Sequence, residues 1–126
     1  MKIIRFKNKD LHGFGRLKDG IVTPLKGGNT PFDCDLSEDC FEKDICFKLE
    51  DCQLLTPVNP SKVIGVALNY PGVSNQEPSE EPLVFLKSSN AVVSSSTDVS
   101  LPRSLPAWGE AELGVIIRRK TKDISE

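Results

Sequence analysis

Long apolar runs are missing from this sequence. The opening Met1-Lys2-Ile3-Ile4-Arg5-Phe6-Lys7 has no apolar stretch of signal-peptide length, and no later run is long enough to span a bilayer as a helix. A cytoplasmic protein with no membrane partner is the expectation. A basic stripe is missing too. The 16 lysines and arginines are dispersed among 18 acidic residues, for a formal net charge of −2, which argues against nucleic acid as a partner. Close cysteine pairs are absent: Cys34, Cys40, Cys46 and Cys52 fall six residues apart, a spacing that matches no zinc signature. Reduced thiols are expected, with the regular spacing a coincidence. Histidine is nearly absent. His12 stands alone in an alternating segment, where a solvated or packing role is the ordinary one, and it is assigned no function.

What is present reads as short strands. A chain of 126 residues holds one domain, or a small domain plus part of another, and buries enough surface to fold without disulfides. Ile4 and Phe6 alternate with Arg5 and Lys7, Asn8-Lys9-Asp10 is turn chemistry, and Leu11 to Leu17 alternates again, with Gly13 and Gly15 thinning one face. Asp19-Gly20 is a hairpin signal ahead of Ile21-Val22-Thr23. The spacing therefore predicts three strands over residues 2 to 25. Lys26 to Pro31 is a loop. The acidic stretch from Asp33 to Asp44 predicts a short helix capped by Asp35 or Ser37, with its carboxylates solvated. Ile45, Phe47 and Leu49 alternate with Cys46, Lys48 and Glu50, a return to strand.

Leu54-Leu55-Thr56-Pro57-Val58-Asn59-Pro60 is an extended connector. It divides the chain into a small β-rich domain, 1–56, and a second unit, 57–126. Lys62 to Leu68 is nearly continuous apolar sequence, the mark of a strand buried on both faces, and it delivers Asn69-Tyr70 at its end. A second buried run, Leu83-Val84-Phe85-Leu86, ends on Lys87, and Pro71 to Pro82 between them reads as a loop. A lysine in that position is ordinarily a gatekeeper whose ammonium reaches water; the alternative is a group that binds a substrate carboxylate or stabilises an enolate.

Trp108 to Ile117 has period two as a strand. Ala111, Leu113, Val115 and Ile117 make one face, while Glu110 and Glu112 share the other with Gly114. Two carboxylates roughly 6.5 Å apart along a strand can converge on a hard divalent cation. Solvated glutamates give the same alternation, and the residues alone leave both readings open.

Four stretches, taken together and in order, resemble the fumarylacetoacetate hydrolase family. They are Lys62 to Tyr70, Glu81 to Lys87, Leu101-Pro102, and Glu110 to Ile117. The resemblance covers about residues 54 to 126, and the first half is a looser match to the family's β-meander lead-in domain. It implies a mainly β protein whose second part begins a distorted, barrel-like catalytic domain, usually dimerised. Members cleave, decarboxylate, isomerise or hydrate small 2-oxo acids and 1,3-dicarbonyl, acylpyruvate-like compounds. A Mg²⁺ or Mn²⁺ ion, or Ca²⁺, chelates the substrate and stabilises an enolate. By this resemblance Glu110 and Glu112 are metal ligands, Lys87 is the active-site lysine, and Tyr70 lies at the pocket mouth.

Two departures accompany the match. Members place a histidine three residues after the tyrosine, where this chain has Val73, and Glu77, Glu80 and Glu81 offer no positioned base in its place. The family's third metal ligand, an aspartate, falls beyond the two glutamates in a segment this chain does not contain, so this chain alone is expected to coordinate the metal incompletely. Thr121 to Glu126 reads as the approach to a helix, capped by Asp123 or Ser125, and the front part of a longer protein is the expectation. Three functions remain: a metal-dependent enzyme, a non-catalytic family remnant or interaction module, and a small β-rich binding domain with solvated glutamates.

Overall fold

Period-two alternation produces a meander. β1 (Lys2–Asn8) and β2 (Leu11–Lys18) run antiparallel, with Lys2 opposite Leu17 and Asn8 opposite Leu11. β3 (Ile21–Pro24) continues on β2, with Lys18 opposite Ile21. The turn between them has Asp19 at φ 50° and Gly20 at φ 77°, two positive values in a row as a tight hairpin with native twist requires. The computed structural model describes residues 1–9, 11–70, 81–104 and 106–125. Asp10, Val73, Glu77 and Glu80 of the sequence reading lie outside them.

Two very short strands complete the first sheet. β4 (Phe47–Lys48) pairs with β3, and β5 (Gln53–Leu54) pairs with the free edge of β1, giving the order β4-β3-β2-β1-β5. β4 and β5 thus lie on opposite edges, yet only Leu49 to Cys52 joins them, and Leu49–Asp51 is a tight 3₁₀ turn. A flat sheet would hold those edges about 19 Å apart. The connector reaches about 15 Å even with its other links fully stretched, so the sheet has to curl. The rings confirm it: Phe6 on β1 and Phe47 on β4 bring their centroids to 5.9 Å. Inside the curl, Phe6, Val22, Leu25 and Phe41 are buried. Gly15 is the glycine this requires, because a side chain there would run into Phe6, Val22 and the Thr23 backbone.

Between β3 and β4 the expected helix is reduced to one 3₁₀ turn, Glu38–Cys40. Ser37 precedes it without a side-chain cap, and Asp35 Oδ1 instead accepts the Ser37 backbone N–H at 2.9 Å. With so few apolar residues there is nothing to offset the cost of nucleating a longer helix. What anchors the segment is Phe41, which bridges to Leu25, while the Glu42 N–H donates to the Pro24 carbonyl at 2.9 Å. The strand expected over 45–50 likewise shortens to β4, because the chain must turn at Leu49 to cross to the other edge.

The proline-marked connector is clipped to β1. The Leu55 N–H donates to the Arg5 carbonyl at 2.9 Å, and Arg5 Nη1 donates to Asn59 Oδ1 at 3.0 Å. Beyond it β6 (Val63–Ala67) and β7 (Leu83–Lys87) form a separate antiparallel pair, Val63 opposite Lys87 and Ala67 opposite Leu83. Burial on both faces does not hold here: Ile64 is 62% and Leu86 74% exposed. Two strands have no layer above or below them unless other segments supply one, and no other described strand pairs with these two.

A second expectation is also corrected. Residues 106–117 carry no strand, and Leu113 is 82% exposed. Strand hydrogen bonds are made between segments, not within one, and no described strand pairs with this one. Residues 121–125 are irregular as well. Among the described residues the chain is mainly β, with no helix long and apolar enough to cross a membrane.

Candidate functional site

Tyr70 follows β6 by three residues. The chain leaves the strand through Leu68, whose φ of 56° lies in the left-handed region. A branched side chain adopts that conformation only when its surroundings hold it there. The result turns Asn69 and Tyr70 away from the line of β6, and Tyr70 is about half exposed. Lys87 closes β7 opposite Val63. It stands four residue pairs from the Ala67–Leu83 end, about 13 Å along the ladder. The hairpin therefore carries Tyr70 and Lys87 at opposite ends and does not bring them together.

Lys87 has a local partner in the Phe85 ring, whose centroid lies 5.7 Å from Nζ. Phe85 in turn covers Gly65, its cross-strand partner. The stack Gly65–Phe85–Lys87 is the cation-over-aromatic arrangement that suits an exposed lysine. Glu110 and Glu112 lie exposed in the unpaired segment. Trp108 Nε1 donates to Glu110 Oε1 at 3.1 Å, which fixes one carboxylate oxygen and leaves the other free. Two carboxylate side chains are a donor set that a hard cation such as Mg²⁺ accepts, with substrate oxygens and water completing its shell. The chemistry of the donors fits; their number is small. Among the described residues no group of three or more histidine, cysteine or acidic side chains is arranged to hold a metal.

Sequence reasoning overlooked a polar cluster in the loop before β4. Asp35 Oδ1 accepts from the Ser37 N–H and, at 3.1 Å, from the Cys40 thiol. The Ser37 backbone bond, followed by the Cys40 thiol, pulls the Asp35 carboxyl down to about 2. Glu38 pairs with Arg16, which holds its carboxyl below the ordinary range, and the same guanidinium lies 4.6 Å over the Phe41 ring. The signal available was Asp35-x-Ser37, an Asx-turn pattern. An open hollow lined by residues 49–54 with Ser95 and Ser96 contains none of the four candidate residues.

Comparison with known proteins decides the family. Residues 1–57 match the family described as Rv2993c-like, N-terminal. Residues 62–126, more than half of the chain, match fumarylacetoacetate (FAA) hydrolase, C-terminal. The chain belongs to the fumarylacetoacetate hydrolase family. Within it, Protein Rv2993c of Mycobacterium tuberculosis is 35% identical over 80 residues, 60% of this chain and 30% of that protein. A fumarylacetoacetate hydrolase domain-containing protein 2 homolog of Dictyostelium discoideum is 33% identical over 82 residues, 62% of this chain and 27% of its own. The match thus spans about a third of these relatives' length. A solved structure of an uncharacterized protein from Mycobacterium abscessus superimposes with a TM-score of 0.62 at 23% identity, over 82% of this chain and 40% of the other. That likeness speaks for the fold of this fumarylacetoacetate hydrolase family chain. The family is generally metal-dependent.

Proposed function

We propose that this chain supplies part of a divalent-metal-dependent active site that hydrolyses, isomerises or decarboxylates a small 2-oxo acid or 1,3-dicarbonyl compound of the acylpyruvate type. One observation carries the reading: the stretch matched to the hydrolase family, 62–126, contains Tyr70, Lys87, Glu110 and Glu112. Glu110 and Glu112 hold a Mg²⁺ or Mn²⁺ ion, with the Trp108 indole orienting the first carboxylate. Bound there, the cation acts as a Lewis acid toward the substrate's oxygens. Lys87 places a positive charge for a substrate carboxylate, and Tyr70 offers a phenolic hydrogen bond at the pocket mouth. The lead-in domain is 1–56 and the catalytic part 57–126, in a homodimeric cytoplasmic protein.

The test is metal-dependent turnover of an acylpyruvate or oxaloacetate by the purified chain, with Glu112→Ala as the control. Turnover that needs Mg²⁺ or Mn²⁺ and is lost in the variant supports the reading. A second reading, a non-catalytic family remnant or interaction module, is favoured by Val73 at the histidine position and by the small donor set among the described residues. It expects metal to change neither turnover nor melting temperature.

A further inference from the structure

β6 and β7 each keep one edge that no described strand pairs with. The two edges differ. β7 starts directly after Pro82, which has no N–H to donate, and ends on the charged Lys87, two features that discourage a further strand. β6, Val63-Ile64-Gly65-Val66-Ala67, carries neither a proline nor a charge. Among the described residues, no backbone hydrogen bond outside the ladder with β7 involves it. Such an edge is a template for one more strand. Its side chains add a symmetry. Ile64 and Val66 share one face with their β7 partners Leu86 and Val84, and all four are exposed. Gly65 lies midway between Ile64 and Val66, with the Phe85 ring closed over it.

We propose that the free edge of β6 is an interaction surface whose partner is β6 of a second copy, the two strands antiparallel about a two-fold axis at Gly65. In that register Ile64 of one copy stands opposite Val66 of the other, and Val63 opposite Ala67. Facing residues differ by an even number, so backbone groups pointing outward on one strand meet groups pointing outward on the other. The axis keeps each face on its own side. Leu86 and Ile64 of one copy therefore continue into Val66 and Val84 of the other, twice over. Two marginal two-stranded pairs become one four-stranded sheet with a continuous apolar face. Lys62 falls opposite Leu68, where the chain has turned off the strand at φ 56°, so the two lysines stay apart. The outer strands are then the two β7 strands, whose Pro82 and Lys87 stop further growth. A second copy is the occupant because the edge is complementary to itself. Such a pairing gives the homodimer proposed above its surface and requires no bound metal, so metal uptake and assembly can fail separately.

Sedimentation equilibrium of the full chain without metal, from micromolar to millimolar concentration, is the test. The unmodified chain is expected to pass from monomer to dimer and no further, with exchange of the Val63–Ala67 amides slowing as concentration rises. Two double variants read the register. Ile64→Lys with Val66→Lys sets lysine opposite lysine at both pairs, whereas Ile64→Lys with Val66→Glu sets lysine opposite glutamate. Both put two charges at the same exposed positions, so weakening of the hairpin by itself affects them alike. The second variant is expected to dimerise at least about tenfold more tightly than the first. A chain that stays monomeric, assembly beyond the dimer, or double variants of equal behaviour, both monomeric included, would overturn the proposal.

Discussion

A methyl group added at residue 15 would sit 2.9 Å from the Thr23 carbonyl oxygen, 3.0 Å from Val22 Cγ1 and 3.1 Å from Phe6 Cε1. None of these is a free side-chain end, since Phe6 and Val22 are fully buried. Gly15→Ala is therefore expected to destabilise the chain by about 1–3 kcal/mol, the usual cost of overpacking, as measured by denaturant titration. Gly13 has nothing within 4 Å of such a methyl, and Gly13→Ala should change stability by no more than about 0.5 kcal/mol. The two glycines look alike in the sequence, because the crowding at one of them comes from the curl of the whole sheet. Asp35 makes a prediction of a different kind. Its folded-state carboxyl is depressed to about 2 by the Ser37 N–H and then the Cys40 thiol. A depressed acid contributes stability that is complete above the unfolded value near 4 and lost as pH falls through the folded one. Glu38, depressed by Arg16, has the same sign. The loop should loosen below about pH 4, with amide exchange from Asp35 to Cys40 rising there, and Asp35→Asn should abolish Asp35's share of that pH dependence.

Among the elements, β1, β2 and β3 were legible because their signal is local: alternation sets the face and Asp19-Gly20 sets the turn. β4 and β5 were poorly legible because each pairs only two residues, and their pairing depends on the sheet closing. The alternation of Glu110 to Ile117 is as clean as that of β1, yet it forms no strand. A period describes how side chains would face if a neighbour were present, and the neighbour is not a local property. Protection against hydrogen exchange should follow the same order. Amides of β1, β2 and β3 exchange slowest, those of the β6–β7 pair much faster, and those of 106–117 fastest. The hairpin depends on one contact in particular, since a lone two-stranded pair is marginal in water. Phe85→Ala uncovers Gly65 and is expected to raise exchange across Val63–Ala67 while leaving the meander unchanged. Equal protection of hairpin and meander would contradict this description of the elements.

At the scale of the molecule, the sheet curls because one short connector ties its two edges, and a buried core of Phe6, Val22, Leu25 and Phe41 fills the curl. The second unit has the family's sequence without a comparable core among the described residues. The residues proposed for its site, Tyr70, Lys87, Glu110 and Glu112, can be picked out in the sequence and all fall within the family match. Their assembly cannot, because it depends on which segments pack over β6, β7 and 110–117, and neither alternation nor spacing encodes that. The central claim is that Glu110 and Glu112 are ligands to a divalent cation. Mn²⁺ binding to the chain, followed by the paramagnetic signal of the free ion, tests it most directly. Saturable binding at one site, removed by Glu110→Gln with Glu112→Gln while the melting temperature without metal stays unchanged, is the predicted result. No uptake up to millimolar Mn²⁺, or uptake unaltered in the double variant, would contradict it.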